Sequence, residues 1–383
     1  MGRRRPWGRV GGGRFRLVTP AVRVSMCPMA AANPMNFFQR TRGARKVMVL
    51  DMGFLGDTVH LLPALWMVRQ AYPQAELHAT VAAHVTSLMD CVPWVDKTWG
   101  YMRFPRHATL RENVQMIRAL RREKFDALIN LNGSDRSSWL SFFSGARERL
   151  GRMPGNGGPA FWKQRFTAHV QYPFQTEPLY IQRCRCLELA GFPAATPEFR
   201  PHLAAAALAP TGISPHEAGT YVHLSPFTTT NRKELPPEQF VRLVTDLAKV
   251  FPDKRVVLSC APTERERAKM AALLARLPVK PWRVFPGDLN LTQLTALIQH
   301  SFLHVSGDTG TMHLAVMTNT PSVSWFFAHP GLREWMPVGP RHQSVIGTMP
   351  AGENYLQDID PEALVAAAKT VLASGKTSDI LVS

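Results

Sequence analysis

Three short stretches of this chain place glycine, hydroxyl, carboxylate and amine groups where a parallel α/β sheet would present them to a ligand. In Gly307-Asp308-Thr309-Gly310 the preceding run Phe302 to Val305 reads as a strand and Thr311 to Met317 as a helix. A strand that turns through small residues into a helix aims backbone N–H groups and the positive end of the helix dipole at one point, which suits a phosphate. Gly310 lets the backbone come close. Asp308 would repel an anion, so it reads as a partner for a sugar hydroxyl or as a cap. The plain alternative is an ordinary βα turn with Asp308 or Thr309 as N-cap. The pattern occurs earlier too. Lys46 to Asp51 reads as a buried strand, Met52-Gly53-Phe54-Leu55-Gly56-Asp57 as a turn, and the residues after it, through Ala71, as a helix. Asp57 is then either a carboxylate facing a cleft as a general base, or the N-cap of the helix that follows. His60, one turn on, is more often a packed core histidine than a second base.

The third stretch, Thr228-Thr229-Thr230-Asn231-Arg232-Lys233, follows the apolar run Tyr221–Ser225. Hydroxyls and backbone N–H groups in such a loop bind phosphate oxygens, and a lysine adds a mobile positive charge. A lysine on a solvated loop is the commoner arrangement. Glu264, just beyond the strand Arg255–Ser259, is placed either to take ribose hydroxyls or to complement a helix dipole. No Walker sequence is present, which excludes a P-loop NTPase.

The elements that must position these groups alternate. Strands are expected at 76–83, 97–101, 125–130, 149–151 and 322–325, besides those above. Helices are expected at 110–123, 137–143, 178–190, 237–250, 263–277, 291–300 and 361–372. In the helix 110–123, Leu110, Val114, Ile117 and Leu120 share one face. Such alternation implies a mostly parallel sheet, and two strand–turn–helix units far apart imply two nucleotide-type domains facing each other. Residues 155–159 read as a loop and 201–219 as the linker.

Composition sets the class. The 383 residues, 45% hydrophobic, allow two domains with real cores. No apolar run is long enough to span a membrane. The five cysteines are scattered and read as reduced, so a cytoplasmic protein is expected. The formal charge is +17, but the first 45 residues hold ten arginines and no acid; without those ten, 35 basic side chains stand against 28 acidic ones. Residues 1–34 read as a disordered basic extension, with Met29 or Met35 as the working start. A nucleic-acid or membrane-surface arm is the rival reading. No nucleic-acid-binding signature supports the first of these, so no nucleic-acid partner is expected.

The motifs Gly53-Phe-Leu-Gly-Asp57-Thr-Val-His60-Leu-Leu-Pro63, Leu224-Ser-Pro-Phe-Thr228-Thr-Thr-Asn-Arg-Lys233 and Gly307-Asp-Thr-Gly310-Thr-Met-His313 occur in an order and spacing that resemble glycosyltransferase family 9. Its best-known members are the ADP-heptose:lipopolysaccharide heptosyltransferases. The resemblance runs from Lys46 to Gly347 and implies the GT-B fold, two Rossmann-like domains facing across a cleft. The expected division is an acceptor domain at 35–205, a nucleotide-sugar donor domain at 216–350, and a helix and tail at 351–383 that return to the first domain. The resemblance implies an inverting transfer of heptose from ADP-heptose, with Asp57 as base. It places Thr228, Thr229, Lys233, Glu264, Asp308, Thr309, Gly310 and His313 at the donor. A basic rim of Arg103, Arg106 and Arg136, with His60, is expected at an anionic glycolipid acceptor on the inner face of the cytoplasmic membrane. No metal and no cofactor are expected. A monomer is expected, although the sequence does not fix the oligomeric state. A transferase of another sugar, and a non-catalytic nucleotide-diphosphate-binding protein, stand as alternatives.

Overall fold

The computed structural model describes residues 36–378, apart from 105, 155–156 and 204–206. The expected basic extension at 1–34 lies outside the described residues. The first sheet consists of β1 (Lys46–Leu50), β2 (Glu76–Ala82), β3 (Lys97–Tyr101), β4 (Ala127–Asn130), β5 (Glu148–Met153) and β6 (Ala168–Gln171). The second consists of β7 (Tyr221–Ser225), β8 (Arg255–Ser259), β9 (Arg283–Phe285), β10 (Leu303–Gly307), β11 (Ser322–Phe327) and β12 (His342–Gly347). Their spatial orders are β3-β2-β1-β4-β5-β6 and β12-β11-β10-β7-β8-β9, so the same doubly wound order is used twice, with every recorded pair parallel. Strand order reverses between β1 and β4, and between β7 and β10. Ligands of such sheets bind outside the carboxyl ends of the strands at these reversals.

The first half contains α1 (Phe37–Thr41), α2 (Leu55–Ala71), α3 (Leu110–Glu123), α4 (Asp135–Phe143), α5 (Ala160–Lys163) and α6 (Leu179–Leu189). The second contains α7 (Pro237–Val250), α8 (Glu264–Leu274), α9 (Leu291–Gln299), α10 (Gly310–Met317), α11 (Leu332–Trp335) and α12 (Pro361–Ser378). β1 is a near-continuous apolar run because both faces are covered, whereas β7 and β10, buried throughout, alternate apolar residues with His and Ser. Helices α2 and α10 are unusual: Thr58 to Leu65 and Met312 to Met317 are buried on every side, and the two helices pack against each other. Ile298 of α9 and Leu314, Ala315 and Met317 of α10 thereby join the apolar cluster of Val59, Leu62 and Leu65 from α2.

One face of the second sheet is polar. His223 and His304, side by side on β7 and β10, have their Nδ1 atoms 2.9 Å apart; His223 Nε2 lies 2.9 Å from Ser259 Oγ, and all three residues are buried. Burial lowers both histidines, His223 to about 3, so they are neutral and share their hydrogen bonds.

Two expectations change. The terminal helix does not return to the first half: Leu364, Val365, Ala368 and Val371 of α12 enter the second core, against α7, β11 and β12. Nor is the stretch 201–219 a bare linker, because Leu208 and Ile213 pack with Tyr221, Val257 and Leu297. The unforeseen strands β6, β9 and β12 are all at sheet edges. An edge strand is less buried and carries less apolar pattern.

Leu314 is fully buried where the two halves meet. Leu314→Ala is expected to lower unfolding stability by about 2–5 kcal/mol in urea titration. A change well under 1 kcal/mol would show that the junction is not a packed core.

Candidate active site at the junction of the two halves

The turn after β1 is fixed from behind by ions. Asp51, buried at the end of β1, accepts the Gly53 N–H at 2.8 Å and the Asn132 side chain at 3.2 Å. Arg183 of α6, 2% exposed, donates to the Asp51 carboxylate and to the Asp57 backbone carbonyl. The same guanidinium is 3.7 Å from Asp57 Oδ1. Asp57 is the third residue of α2, and its Oδ2 accepts the Phe54 N–H at 2.9 Å. It therefore does cap the helix, from inside the first turn, but with one oxygen. Its side chain stays a quarter exposed. Burial, together with the nearby Asp51 carboxylate, pushes the Asp57 carboxyl up to about 6; Arg183, the Phe54 N–H and Arg103 pull the other way. Arg103 holds this turn too, donating to Met52 O at 2.8 Å and lying 4.7 Å over the Phe54 ring.

The turn after β10 meets it. A Cβ on Gly56 would lie 2.7 Å from the His313 ring, and one on Gly310 would lie 2.6 Å from Leu55 Cδ2. The requirement for glycine at 310 is thus proximity, since its φ is not in the left-handed region. Thr309 occupies the N-cap position of α10 by backbone geometry, yet its side chain makes no cap bond. The Met312 N–H is taken by the Thr309 carbonyl at 3.2 Å, so the first turn of α10 has a backbone bond but no side-chain cap from Thr309. Asp308 turns instead to Lys233, whose Nζ is 2.6 Å away.

His313 has a defined proton. The Tyr180 backbone N–H, which can only donate, is 3.3 Å from His60 Nδ1. His60 therefore carries its proton on Nε2 and donates it to His313 Nδ1 at 3.0 Å. That leaves His313 with an N–H at Nε2, which lies on the ring edge facing Gly56, 2.8 Å from where a Cβ there would stand. Burial keeps both rings neutral: His313 is lowered to about 4 and His60 well below its ordinary value. His60, 2% exposed, is thus not an acceptor contact; it backs His313.

The loop after β7 hangs on a group the sequence did not flag. Buried Glu234 accepts the Thr228 N–H at 3.0 Å, Arg265 at 2.8 Å and Lys269 at 2.7 Å. Asn231 Oδ1 accepts from the same two cations. Thr228 is buried and its hydroxyl donates to Thr230 O at 2.7 Å, so it is turned into the loop; Thr229 is exposed. Lys233 caps the arrangement, its carbonyl receiving the Trp325 indole N–H at 2.9 Å. Glu264 is exposed at the first position of α8, while its neighbour Glu266 is buried on the Ala261 N–H at 2.7 Å. Of the expected basic rim, Arg106 is engaged by both oxygens of Glu112 at 2.7 and 2.8 Å, and Arg136 lies 3.4 Å from His107.

The structure thus brings together Asp57, His313, Gly310, Thr309, Asp308 and Lys233, and sets His60 and the Thr228 hydroxyl behind them. Asp51 and Arg183 were missed. Asp51 ends an apolar strand just before the glycine turn, and Arg183 falls on the buried stripe of α6 with Leu179, Cys186 and Leu187. A charge at a core position of each was the available signal. Among the described residues, Glu76, His78 and Glu123 form the one grouping with metal-like spacing; Lys46 and Lys97 already neutralise its carboxylates.

Two doubly wound halves whose glycine turns meet at the strand reversals make a two-domain fold of the GT-B type. Residues 113–357 match glycosyltransferase family 9 (heptosyltransferase), and the chain belongs to that family. Among curated relatives it is 24% identical, over 312 residues, to the lipopolysaccharide core heptosyltransferase OpsX of Haemophilus influenzae, covering 76% of this chain and 82% of that one. It is 22% identical over 346 residues to lipopolysaccharide heptosyltransferase 3 of Escherichia coli, covering 84% and 96%. Among solved structures, a family 9 glycosyltransferase of Veillonella parvula shares the fold with TM-score 0.72 at 16% identity, covering 86% of this chain and 97% of its own. E. coli heptosyltransferase WaaC with ADP does so with TM-score 0.68 at 18% identity, covering 85% and 99%.

A Cβ on Gly53 would overlap the Asp57 side chain. Gly53→Ala is expected to displace that carboxylate and lower kcat by about 100-fold, the effect of an ångström-scale misplacement, while nucleotide affinity stays unchanged. Full kcat in the folded variant would take Asp57 out of the chemistry.

Proposed function

We propose that the protein transfers heptose from ADP-heptose to a lipopolysaccharide core or related glycan, inverting the anomeric centre and using neither metal nor cofactor. The observation that carries this reading is Asp57: a partly exposed carboxylate, raised to about 6, one residue from the contact with His313. Near neutral pH it is ionised yet basic enough to accept a proton, as a general base must be. The acceptor hydroxyl gives its proton to Asp57 as its oxygen attacks the anomeric carbon from the face opposite the diphosphate. The new C–O bond forms as the bond to the diphosphate breaks, and ADP leaves with the electron pair. Its charge is met by the α10 amides and by Lys233, which exchanges Asp308 for phosphate oxygens. His313 Nε2–H and Thr309 supply further donors. Two relatives named as lipopolysaccharide heptosyltransferases, and a similar fold that holds ADP, support the choice of donor and acceptor. Such an acceptor would place the enzyme at the inner face of the cytoplasmic membrane. No helix among the described residues is long and apolar enough to cross it.

Asp57→Asn separates chemistry from binding. It is expected to lower kcat by about 10²–10⁴-fold and to leave ADP affinity, read by calorimetry, unchanged. In the parent, kcat/KM against pH should fall on the acid side with a midpoint of about 6, because protonation removes the base. An acid limb near the ordinary aspartate value, or an active Asp57→Asn protein, would refute this role.

Lys233→Met is expected to weaken ADP binding by about 1.5–3 kcal/mol, the range for a charge-assisted hydrogen bond. A thermal-shift comparison of ADP, UDP and GDP tests the donor class: saturation at about 100 times Kd adds roughly 2.7 kcal/mol of stability. Selection of UDP or GDP over ADP would redirect the reading to another sugar.

A further inference from the structure

Helix α4 is built inside out. Its sheet side carries Ser137, Ser138 and Ser141, all buried, with Leu140 the one large apolar group among them. Ser141 is held by Asn130 at 2.9 Å and by the Ser137 carbonyl at 2.8 Å. Its outer side carries Trp139, Phe142 and Phe143, exposed by 45%, 42% and 39%. Spacings of three and four residues put these rings on one face, and those of Trp139 and Phe143 stack at 5.3 Å. Phe161 of α5, 45% exposed, extends the patch. Between them lies Arg165, its guanidinium 3.4 Å from the Trp139 ring centre, 4.7 Å from that of Phe161, and bonded to Ser138 Oγ at 2.6 Å. These aromatics are fixed in place by a buried cation. A helix that hides hydroxyls and displays aromatic rings has its polarity set for an apolar partner rather than for water.

The surroundings say which partner. Arg136, Arg147 and Lys163 are exposed around the patch, and Arg121 lies 3.6 Å from where a Cβ on Gly145, just past α4, would stand. The nearby acids are engaged: Asp135 with the Trp162 indole N–H, Glu148 with Arg40 at 3.0 Å, and Asp126 with Arg147 at 3.7 Å. Aromatic rings ringed by exposed cations, of which Arg147 has only the long contact to Asp126, match an interface of acyl chains below and anionic headgroups above. Arg136 ties the patch to the candidate site, since it stands one turn before Trp139 and reaches His107 beside Arg106 and Arg103.

We propose that the outer face of α4 and α5 seats this protein on an anionic lipid surface, with the aromatic rings entering the headgroup boundary and the basic residues contacting the headgroups. The inference draws on the glycolipid-acceptor reading only for the reason such seating would be useful.

Co-sedimentation of the full chain with phosphatidylcholine vesicles, with and without phosphatidylglycerol, tests it. Binding is expected to need the anionic lipid and to weaken with salt. Each of Arg147→Glu and Lys163→Glu should reduce it about fivefold or more, and Trp139→Ser/Phe143→Ser roughly tenfold or more. Phe142→Ser, which leaves the Arg165 stack intact, serves if the double variant melts early. Neither donor nor acceptor is present in this assay. Transfer to a delipidated acceptor should stay unchanged in every variant, so failure of docking and failure of the transfer reading are told apart. Variants that bind as well as the parent, as they would if the arginines of the first 45 residues did all the work, overturn the proposal. So does a parent that ignores vesicles, or one that pairs with a second copy and is made monomeric by Trp139→Ser/Phe143→Ser.

Discussion

One guanidinium serves two carboxylates, and the candidate site depends on that shortage. Arg183 is bonded to Asp51 and approaches Asp57 only at 3.7 Å. Asp51 has the nearer partner and two further donors, so its charge is well compensated. Asp57 is left with a backbone N–H and a distant cation in a poorly hydrated corner, which makes its proton affinity high for an aspartate. A second arginine would have turned the pair into inert structure. Without Arg183 the buried Asp51 would be uncompensated, at a cost of about 3–5 kcal/mol, and the Asp57 carbonyl would lose its donor. The ion pair thus fixes the turn backbone, and with it the start of α2 against His313.

The second half works by the same logic with opposite sign. Buried Glu234 gathers Arg265, Lys269 and the Thr228 N–H, which stiffens the loop after β7 and delivers Lys233 to Asp308. Each hub sets the position of one candidate group, Asp57 in the first half and Lys233 in the second.

Much of this was legible in the chain. The strands β1, β7, β8 and β10 are short, largely apolar stretches before glycine or threonine turns, and the expected bounds of α3, read from its apolar periodicity, and of α7, read from the prolines at its start, match the structure to the residue. Asp57, Lys233 and the Gly307–Gly310 turn could be singled out because residue type and place in a strand–turn–helix unit agree. Which hydroxyl is free was not legible: Thr228 and Thr229 are equivalent in sequence, and only the pull of Glu234 turns one inward. His60 is likewise separated from His313 by its neighbour Tyr180, not by its own type. Trp139, Phe142 and Phe143 fall on a helical stripe and would be counted as core by periodicity alone. Only the serines beneath them show which side faces the sheet.

The buried histidines give the fold an acid limit. His223, His304, His60, His313 and His342 are all held neutral by burial, with three of them lowered to about 3 or 4. Released from the fold, each would bind a proton near its ordinary value of 6.5. Acidification below that value therefore favours the unfolded chain, by about 1.4 kcal/mol per pH unit for each histidine that stays neutral when folded. Asp57 works in the opposite direction, because its folded carboxyl takes its proton first, and so do Glu266 and Glu334, whose carboxyls burial also raises. The protonation of Asp57 near pH 6 thus falls inside the range, below about 6.5, in which the buried histidines already cost the fold stability, so an Asp57 base and the scaffold would be weakened by mild acid together.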